Sequence, residues 1–219
     1  SDLGEKTPRW LKLPKGDRKM YGFIKRHSCF ALTFLALTLS SCAYGPQFLS
    51  LNPEIIASGD SNYDLTNQTA IVLKVKDSRK NEVLGVSGDN SAQFDITLKE
   101  NAADTLQANI VPALQGRGLE VNLNQKDNEP TLLIDLQKLT LNSIKKEGFG
   151  YVTNLDLEIV ASVVFVNKKY SKRYIVGTEK KNGSVSSSKS SEILVNEAMT
   201  EALSSIVNDN ALFKALDTQ

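Results

Sequence analysis

Residues 151–166 read YVTNLDLEIVASVVFV, and this stretch decides the fold. Apolar side chains occupy every second position, and Asn154, Asp156 and Glu158 fall between them. This alternation is typical of a strand that has one buried and one polar face. The positions assigned to the buried face are Leu155, Leu157, Ile159, Ala161, Val163 and Phe165. We therefore predict one long strand here, with its carboxylates directed towards solvent.

The segments on either side of this strand predict its two neighbours in the sheet. Residues 131–144 are apolar in one phase up to Leu136 and in the other phase from Leu139. Such a switch predicts a β-bulge between these two leucines. After a polar turn, residues 170–176 alternate again. Because short turns connect all three segments, they predict a meander of antiparallel strands.

Five further elements are predicted outside the meander. Thr97 and Glu100 have the spacing of a helix capping box, and Gly116 is placed to end that helix. The order β-α-β-β-β-β-α-α predicts an α+β fold, with a mainly antiparallel sheet and helices packed on one face. We assign this single domain to residues 70–219. The five elements are strand 70–77, a helix from Thr97 to Gly116, strand 119–123, a helix at 195–207 and a terminal helix at 212–216.

The amino-terminal residues have the charge pattern of a targeting signal. Residues 1–29 carry eight basic and three acidic side chains, and residues 30–39 form an uncharged apolar run. This run is too short to span about 30 Å of hydrocarbon, which needs roughly 20 residues. It has the length of a signal-peptide core behind a basic segment. Residues 1–19 are polar and show no apolar periodicity, so we predict an upstream segment outside the native structure.

The sequence Leu39-Ser40-Ser41-Cys42 follows this apolar run and resembles the lipobox of bacterial lipoproteins. Small residues allow an extended chain to enter a peptidase cleft, and the Cys42 thiol can take a diacylglyceryl group. We therefore predict a lipoprotein signal peptide at 20–41, cleavage between Ser41 and Cys42, and acyl chains such as palmitate on Cys42. The alternative is a buried core helix that happens to end in cysteine.

Processing at Cys42 restricts the chemistry that the remaining chain can perform. His27 and Cys29 leave with the signal, so the mature chain has no histidine and no free thiol. This excludes catalytic triads based on histidine, Cys-His pairs and His-ligated zinc. We predict no enzyme activity, no cofactor and no metal site. The whole chain carries a net charge of +1, which provides no basic footprint for nucleic acid.

Residues 42–69 contain several Gly, Pro and polar residues without a lasting period, and they predict a lipidated tether. Leu49, Leu51 and Ile55 are apolar side chains within it. We predict that they contact a partner. The equally open alternative is an ordered arm that lies along its own domain.

The mature chain resembles the YajG family of bacterial envelope lipoproteins from Cys42 to its C-terminal helix. That resemblance implies an envelope location and an α+β fold, and it carries no established activity and no catalytic residue. Resemblance to lipoproteins in general implies sorting to the outer membrane, because Ala43 rather than Asp follows Cys42. The matching marks are Asp77-Ser78-Arg79, Leu84-Gly85, Arg117-Gly118-Leu119, the strands around Asp135 and Asn154, and the helix around Asn196, Ala198, Leu203 and Ile206.

Three hypotheses for the function follow. The first is a non-enzymatic lipoprotein on the periplasmic face of the outer membrane, held by its acyl chains, that binds or scaffolds other envelope proteins, including as a subunit of a secretion or transport assembly. The second is a lipid-handling transport accessory with an apolar groove. The third is a cell-wall hydrolase that uses paired carboxylates among Asp135, Asp156 and Glu158. An exposed strand edge would favour the first hypothesis.

Overall fold

The computed structural model describes residues 45–58, 69–124, 129–148, 150–166 and 168–217. The predicted upstream segment, the signal peptide at 20–41, Ser41 and Cys42 lie outside the described residues. The structural statements below concern the described part of the chain.

This part of the chain forms one large sheet with three helices. In chain order the elements are β1 (Gln47–Leu49), β2 (Ala70–Asp77), β3 (Val83–Gly88), β4 (Gln93–Leu98), α1 (Ala102–Gly116), β5 (Glu120–Asn122), β6 (Thr131–Lys146), β7 (Gly150–Phe165), β8 (Lys168–Asn182), α2 (Ser188–Val207) and α3 (Asn210–Asp217).

Strand β6 is the centre of the sheet, because one of its edges serves two different strands. β2 runs parallel to its first half, from Thr131 to Leu136, and β3 runs parallel to it at Ser143 and Ile144. The other edge pairs with β7 along its whole length. The pairing shifts between Leu136 and Lys138, which confirms the predicted bulge.

The α+β class is confirmed, whereas the prediction of a mainly antiparallel sheet is confirmed only in part. The sheet is mixed: β1–β4, β2–β5, β2–β6 and β3–β6 are parallel, and β3–β4, β6–β7 and β7–β8 are antiparallel. Alternation in a sequence reports which face is buried and carries no information on strand direction. Strands β1, β3 and β4 also precede α1 without having been predicted.

The start of α1 also differs from its prediction. Thr97 lies in β4, where it pairs with Phe48 and Val83, so it cannot cap the helix. The N-cap is Asn101, whose side chain accepts the Asp104 N–H at 3.1 Å. Both pairs of residues have capping spacing, and the strand pairing decides between them. The helix ends at Gly116, as predicted.

Sheet and helices share one hydrophobic core. Among the described residues, no helix combines the length and apolarity needed to cross a membrane. The buried helical side chains in this core include Leu106, Ile110 and Leu114 of α1, Val195, Met199 and Ile206 of α2, and Leu212 and Phe213 of α3.

Candidate functional site

The first described residues, 45–58, form a segment that we call the arm. It begins with β1, which pairs in parallel with β4, and continues as extended chain along α2. Leu49, Leu51 and Pro53 are buried, and the residues between them are more exposed. This alternation is that of a strand with one face on the core.

The arm is held by a ladder of hydrogen bonds from its main chain to side chains of α2. The N–H of every second arm residue donates to a side chain that lies four residues further along the helix. We call these five side chains, four from α2 and one from its C-cap Asn208, the polar stripe. The bonds run from Ser50 to Glu192 Oε2 (3.0 Å), Asn52 to Asn196 Oδ1 (2.6 Å), Glu54 to Thr200 Oγ1 (3.0 Å), Ile56 to Ser204 Oγ (3.0 Å) and Ser58 to Asn208 Oδ1 (2.8 Å).

The ladder is possible because two different repeats have nearly the same length. Two residues of extended chain advance about 6.6 Å, and four residues of helix advance about 6.0 Å. Asn196 and Asn208 also donate through Nδ2 to the carbonyls of Ser50 and Ile56, at 3.0 and 2.8 Å. The polar stripe thus supplies the partners that a neighbouring strand would otherwise give to the arm.

These contacts correct the prediction that Leu49, Leu51 and Ile55 meet a partner protein. Leu49 and Leu51 are buried in the core of their own domain, and Ile55 is partly buried against it. Their side chains therefore stabilise the domain. The open alternative, an ordered arm along its own domain, describes residues 45–58. The boundary predicted at residue 70 is too late, because β1 already belongs to the sheet.

A buried polar cluster fixes the first strand residue of the arm. Gln47 is 3% exposed, and its Nε2 donates to Ser87 Oγ (3.1 Å) and to the carbonyl of Ser186 (2.8 Å). The Thr153 hydroxyl is hydrogen-bonded to those of Ser143 (3.0 Å) and Ser186 (2.7 Å). The cluster thereby connects the arm to β3, β6, β7 and the loop before α2. Scattered Ser and Thr gave no sequence signal for it.

A second polar cluster joins β8 to the end of α2. Asp209 Oδ2 accepts hydrogen bonds from Lys172 Nζ and from Tyr174 Oη, the latter at 2.7 Å. Its Oδ1 accepts the N–H groups of Ala211 (2.9 Å) and Leu212 (3.3 Å) at the start of α3. Burial by itself would raise the pKa of Asp209, but these hydrogen bonds outweigh it and hold the pKa below its ordinary value. Burial and the bond to Asp209 raise the pKa of Tyr174.

The three carboxylates considered as acid–base candidates are engaged with neighbouring side chains. Asp156 Oδ2 lies 3.0 Å from Lys138 Nζ, and Glu158 Oε1 lies 3.1 Å from Arg173 Nε. Asp135 Oδ2 accepts a hydrogen bond from the side chain of its neighbour at position 137. Two of the three therefore form ion pairs with cations on neighbouring strands.

A cavity of about 600 Å³ lies where β2 leaves β6 and β3 begins. Leu84, Leu139, Lys80 and Lys138 are among its lining residues. The strands approach closely here: a Cβ on Gly85 would lie 2.3 Å from the carbonyl oxygen of the residue at 141. Only glycine fits at this position.

Asp77 and Arg79 form an ion pair at the end of β2, and Arg79 lines this cavity. The guanidinium of Arg79 binds both carboxylate oxygens of Asp77, with Nε–Oδ1 at 2.9 Å and Nη2–Oδ2 at 2.7 Å. Burial opposes ionisation of Asp77, yet the hydrogen bonds from Arg79 keep its pKa below the ordinary value. The pair therefore closes the end of β2.

Three pairs of adjacent lysines lie near the ends of the long strands, two pairs at one end and one pair at the other. Lys145 and Lys146 lie at the turn between β6 and β7, and Lys180 and Lys181 pair with the start of β7. We call this the hairpin end. The pair at 168–169 lies beside Phe165 and the residue before it, at the far end of β7.

Strand β8 forms an edge of the sheet, because its partner in the described part of the chain is β7 alone. It is 15 residues long and carries six basic side chains and one acidic side chain. Ile175 is 66% exposed on it. Lysine on an edge strand hinders the pairing of like copies, while the main chain can still accept a different strand.

A family model described as "Uncharacterized lipoprotein" matches residues 58–217. The chain belongs to this lipoprotein family. The resemblance to YajG-type envelope lipoproteins is therefore confirmed. No curated protein sequence matches the chain.

One solved structure shares the fold of this family member, and a second is less similar to it. Protein XCC0632 from Xanthomonas campestris matches with a TM-score of 0.56 and 12% identity, covering 77% of this chain and 95% of that one. The rare lipoprotein B from Shewanella oneidensis gives a TM-score of 0.41 at 12% identity, covering 66% and 96%. Identity this low informs on the fold and not on the activity.

The match to the lipoprotein family includes the helix that binds the arm but leaves out nearly all of the arm. It begins at Ser58, where the arm ends, and it includes the whole of α2. The polar stripe therefore lies inside the family segment, and residues 45–57 of the arm lie before it.

Proposed function

We propose that this lipoprotein family member is anchored in the outer membrane through acyl chains on Cys42, faces the periplasm, and binds or scaffolds other envelope proteins without catalysing a reaction. The anchor is supported by the order of basic segment, apolar run and Leu39-Ser40-Ser41-Cys42. Ala43 supports outer-membrane sorting, since Asp at this position favours retention in the inner membrane. Two or more acyl chains give the durable attachment that a scaffold needs.

The observation that carries the binding function is the open edge of β8. A strand of 15 residues with an open edge can accept an extended segment of another protein through main-chain hydrogen bonds. Its excess of basic side chains favours a partner segment with acidic residues. Such a surface suits a scaffold better than an enzyme, since it offers length and pairing capacity.

Crosslinking tests this proposal at a single residue. We expect a photoreactive amino acid in place of Ile175 to give a covalent adduct with another envelope protein in living cells, because the side chain is exposed on the open strand. The matched control replaces Ile193, which is also exposed but lies on α2. Immunoblots of both variants check the result. Adducts of equal yield at the two positions, or at neither, would contradict the proposal.

The non-catalytic part of the proposal predicts tolerance at the carboxylates. Asp156→Asn and Glu158→Gln each remove one partner of a sheet ion pair. We expect both variants to complement a deletion strain fully, because exposed pairs contribute about 1 kcal/mol or less to stability. Immunoblotting must show normal abundance. Loss of complementation by a folded, abundant variant would instead support the hydrolase hypothesis.

A further inference from the structure

We infer that the arm mounts the domain on the membrane in one orientation, with the hairpin end against anionic lipid headgroups. This inference rests on the proposed lipidation of Cys42. It adds a second membrane contact, made by lysines of the folded domain, and it assigns a mechanical role to the buried start of the arm. The partner is a lipid surface, recognised through its phosphates.

The chain between the anchor at Cys42 and the fold at Gln47 is short. Gln47 follows Cys42 by five residues, which can span at most about 18 Å. Gln47 is buried and bonded to Ser87 and Ser186, so its position in the domain is fixed. The end of the domain that holds Gln47 therefore stays close to the lipid.

Gln47 lies at the hairpin end. Its partner Ser186 is bonded to Thr153, and Thr153 pairs with Lys180. Thr153 lies three residues from the first residue of β7, whereas Phe165 at the far end lies twelve residues away. At about 3.3 Å per residue these distances are roughly 10 and 40 Å. The hairpin end therefore faces the membrane, and the 168–169 pair points away from it.

The hairpin end carries both lysines and carboxylates. Lys145, Lys146 and Lys180 are exposed there, and Lys181 lies 3.9 Å from Glu179. The other acidic side chains at this end are Asp89, Glu147 and Glu192. Asp89 accepts hydrogen bonds within its own turn, and Glu192 accepts the Ser50 N–H and pairs with Lys189. With Lys189 included, these side chains are five lysines and four carboxylates, a net excess of one positive charge. The exposed Lys145, Lys146 and Lys180 can contact lipid phosphates, each charge contributing about 1 kcal/mol.

The start of the arm is held firmly in the domain. A pull from the anchor reaches Gln47 and Leu49 first, and these are among the most deeply buried residues of the arm. The exposed rungs of the ladder, from Asn52 to Ser58, lie behind them. If the arm came free, the 28 residues from Cys42 to Thr69 could extend about 90 Å, and the domain would lose any fixed orientation. The buried start of the arm, Gln47 and Leu49, therefore converts a potential tether into a mount, and the polar stripe holds the segment behind it.

Fluorescence quenching on vesicles tests the orientation. The lipidated protein is placed in phosphatidylethanolamine–phosphatidylglycerol vesicles that carry nitroxide-labelled headgroups. A fluorophore is attached at Lys146→Cys in one sample and at Lys169→Cys in another. We expect headgroup quenching to be several-fold stronger at position 146. Equal quenching at both positions, or stronger quenching at 169, would overturn the inference.

Two further variants separate the causes. The double variant Gln47→Ala, Leu49→Ala weakens the buried start of the arm. We expect its quenching ratio to fall towards one while the protein still floats with the vesicles and still melts cooperatively. Phe48→Ala, an exposed residue of the same strand, should keep the original ratio. An unchanged ratio in the folded double variant would show that the start of the arm does not set the orientation.

Vesicles of two lipid compositions, one anionic and one neutral, distinguish this inference from the proposed anchor. Cys42→Ser should not float with vesicles of either composition at physiological salt. If the wild-type protein, which keeps Cys42, also fails to float, the proposed lipidation is wrong and the inference falls with it. If the wild-type protein floats and shows the same strong quenching at position 146 in neutral phosphatidylcholine vesicles, the anchor holds and the contact between lysines and anionic headgroups is overturned.

Discussion

Leu49→Asp is expected to lower the free energy of unfolding by about 4 kcal/mol, since it deletes a buried leucine and places a carboxylate in the core. Leu49 is 0% exposed and lies in the strand that pairs with β4. The effect arises in a segment that the sequence assigned to a tether. Urea unfolding of the soluble protein comprising residues 43–219 measures it.

The control is the next residue along the chain. Phe48 is 57% exposed, so Phe48→Asp should change the free energy of unfolding by about 0.5 kcal/mol or less. The two variants have the same new charge, in adjacent positions of one short strand. Equal stability of the two variants would show that the arm does not pack on the domain in solution.

Asp209→Ala should be the next most damaging substitution, with a loss of about 3 kcal/mol. It leaves Lys172 and the buried Tyr174 hydroxyl without their acceptor, and it removes the acceptor for two N–H groups that begin α3. Asp156→Ala, which breaks the exposed pair with Lys138, is the control and should cost less than about 1 kcal/mol. Thermal or urea unfolding distinguishes the two variants, and similar losses would contradict the role given to Asp209.

The same substitution should change the acid limit of stability. The folded pKa of Asp209 lies below its ordinary value of 3.8. A carboxyl with a depressed folded pKa contributes stability that is complete above the unfolded pKa and is lost as pH falls through the folded pKa. We therefore expect the difference between wild type and Asp209→Ala to be constant near neutral pH and to shrink below about pH 4. Unfolding curves across this range check the sign.

The meander could be predicted because its information is local. The alternation from Leu155 to Val163 places these residues on the buried face, and all of them are buried in the structure. The phase switch after Leu136 located the bulge to within two residues. In both cases the burial of one sheet face fixes the register, and a shift of one residue would expose every apolar side chain.

The arm could not be predicted, because both halves of its interaction look unremarkable alone. Its alternation is interrupted by polar residues and by Pro53, and its acceptors lie 142 to 150 residues away in the sequence. The residues Glu192, Asn196, Thr200, Ser204 and Asn208 resemble the solvated face of an amphipathic helix. The period of four within that face was a detectable signal, but its meaning requires an extended partner.

The parallel pairings were missed for a related reason. β2 meets β6 across more than fifty residues of intervening chain, and nothing in either segment specifies direction. Strands β3 and β4 are short, and Gly85 and Gly88 interrupt the first of them, which favours a loop in a sequence. Gly85 is instead required by a neighbouring carbonyl oxygen that only the folded sheet brings near.

The ladder between the arm and α2 has an evolutionary consequence. Four of its rungs use the main-chain N–H of Asn52, Glu54, Ile56 and Ser58, whose side chains are exposed. These positions are free to drift between lineages towards almost any residue except proline, which lacks the donor. Pro53 already lies in the other phase, where no N–H has to reach the helix. Selection on this contact should therefore fall on the helix, while the segment that leads to the lipid diverges without cost.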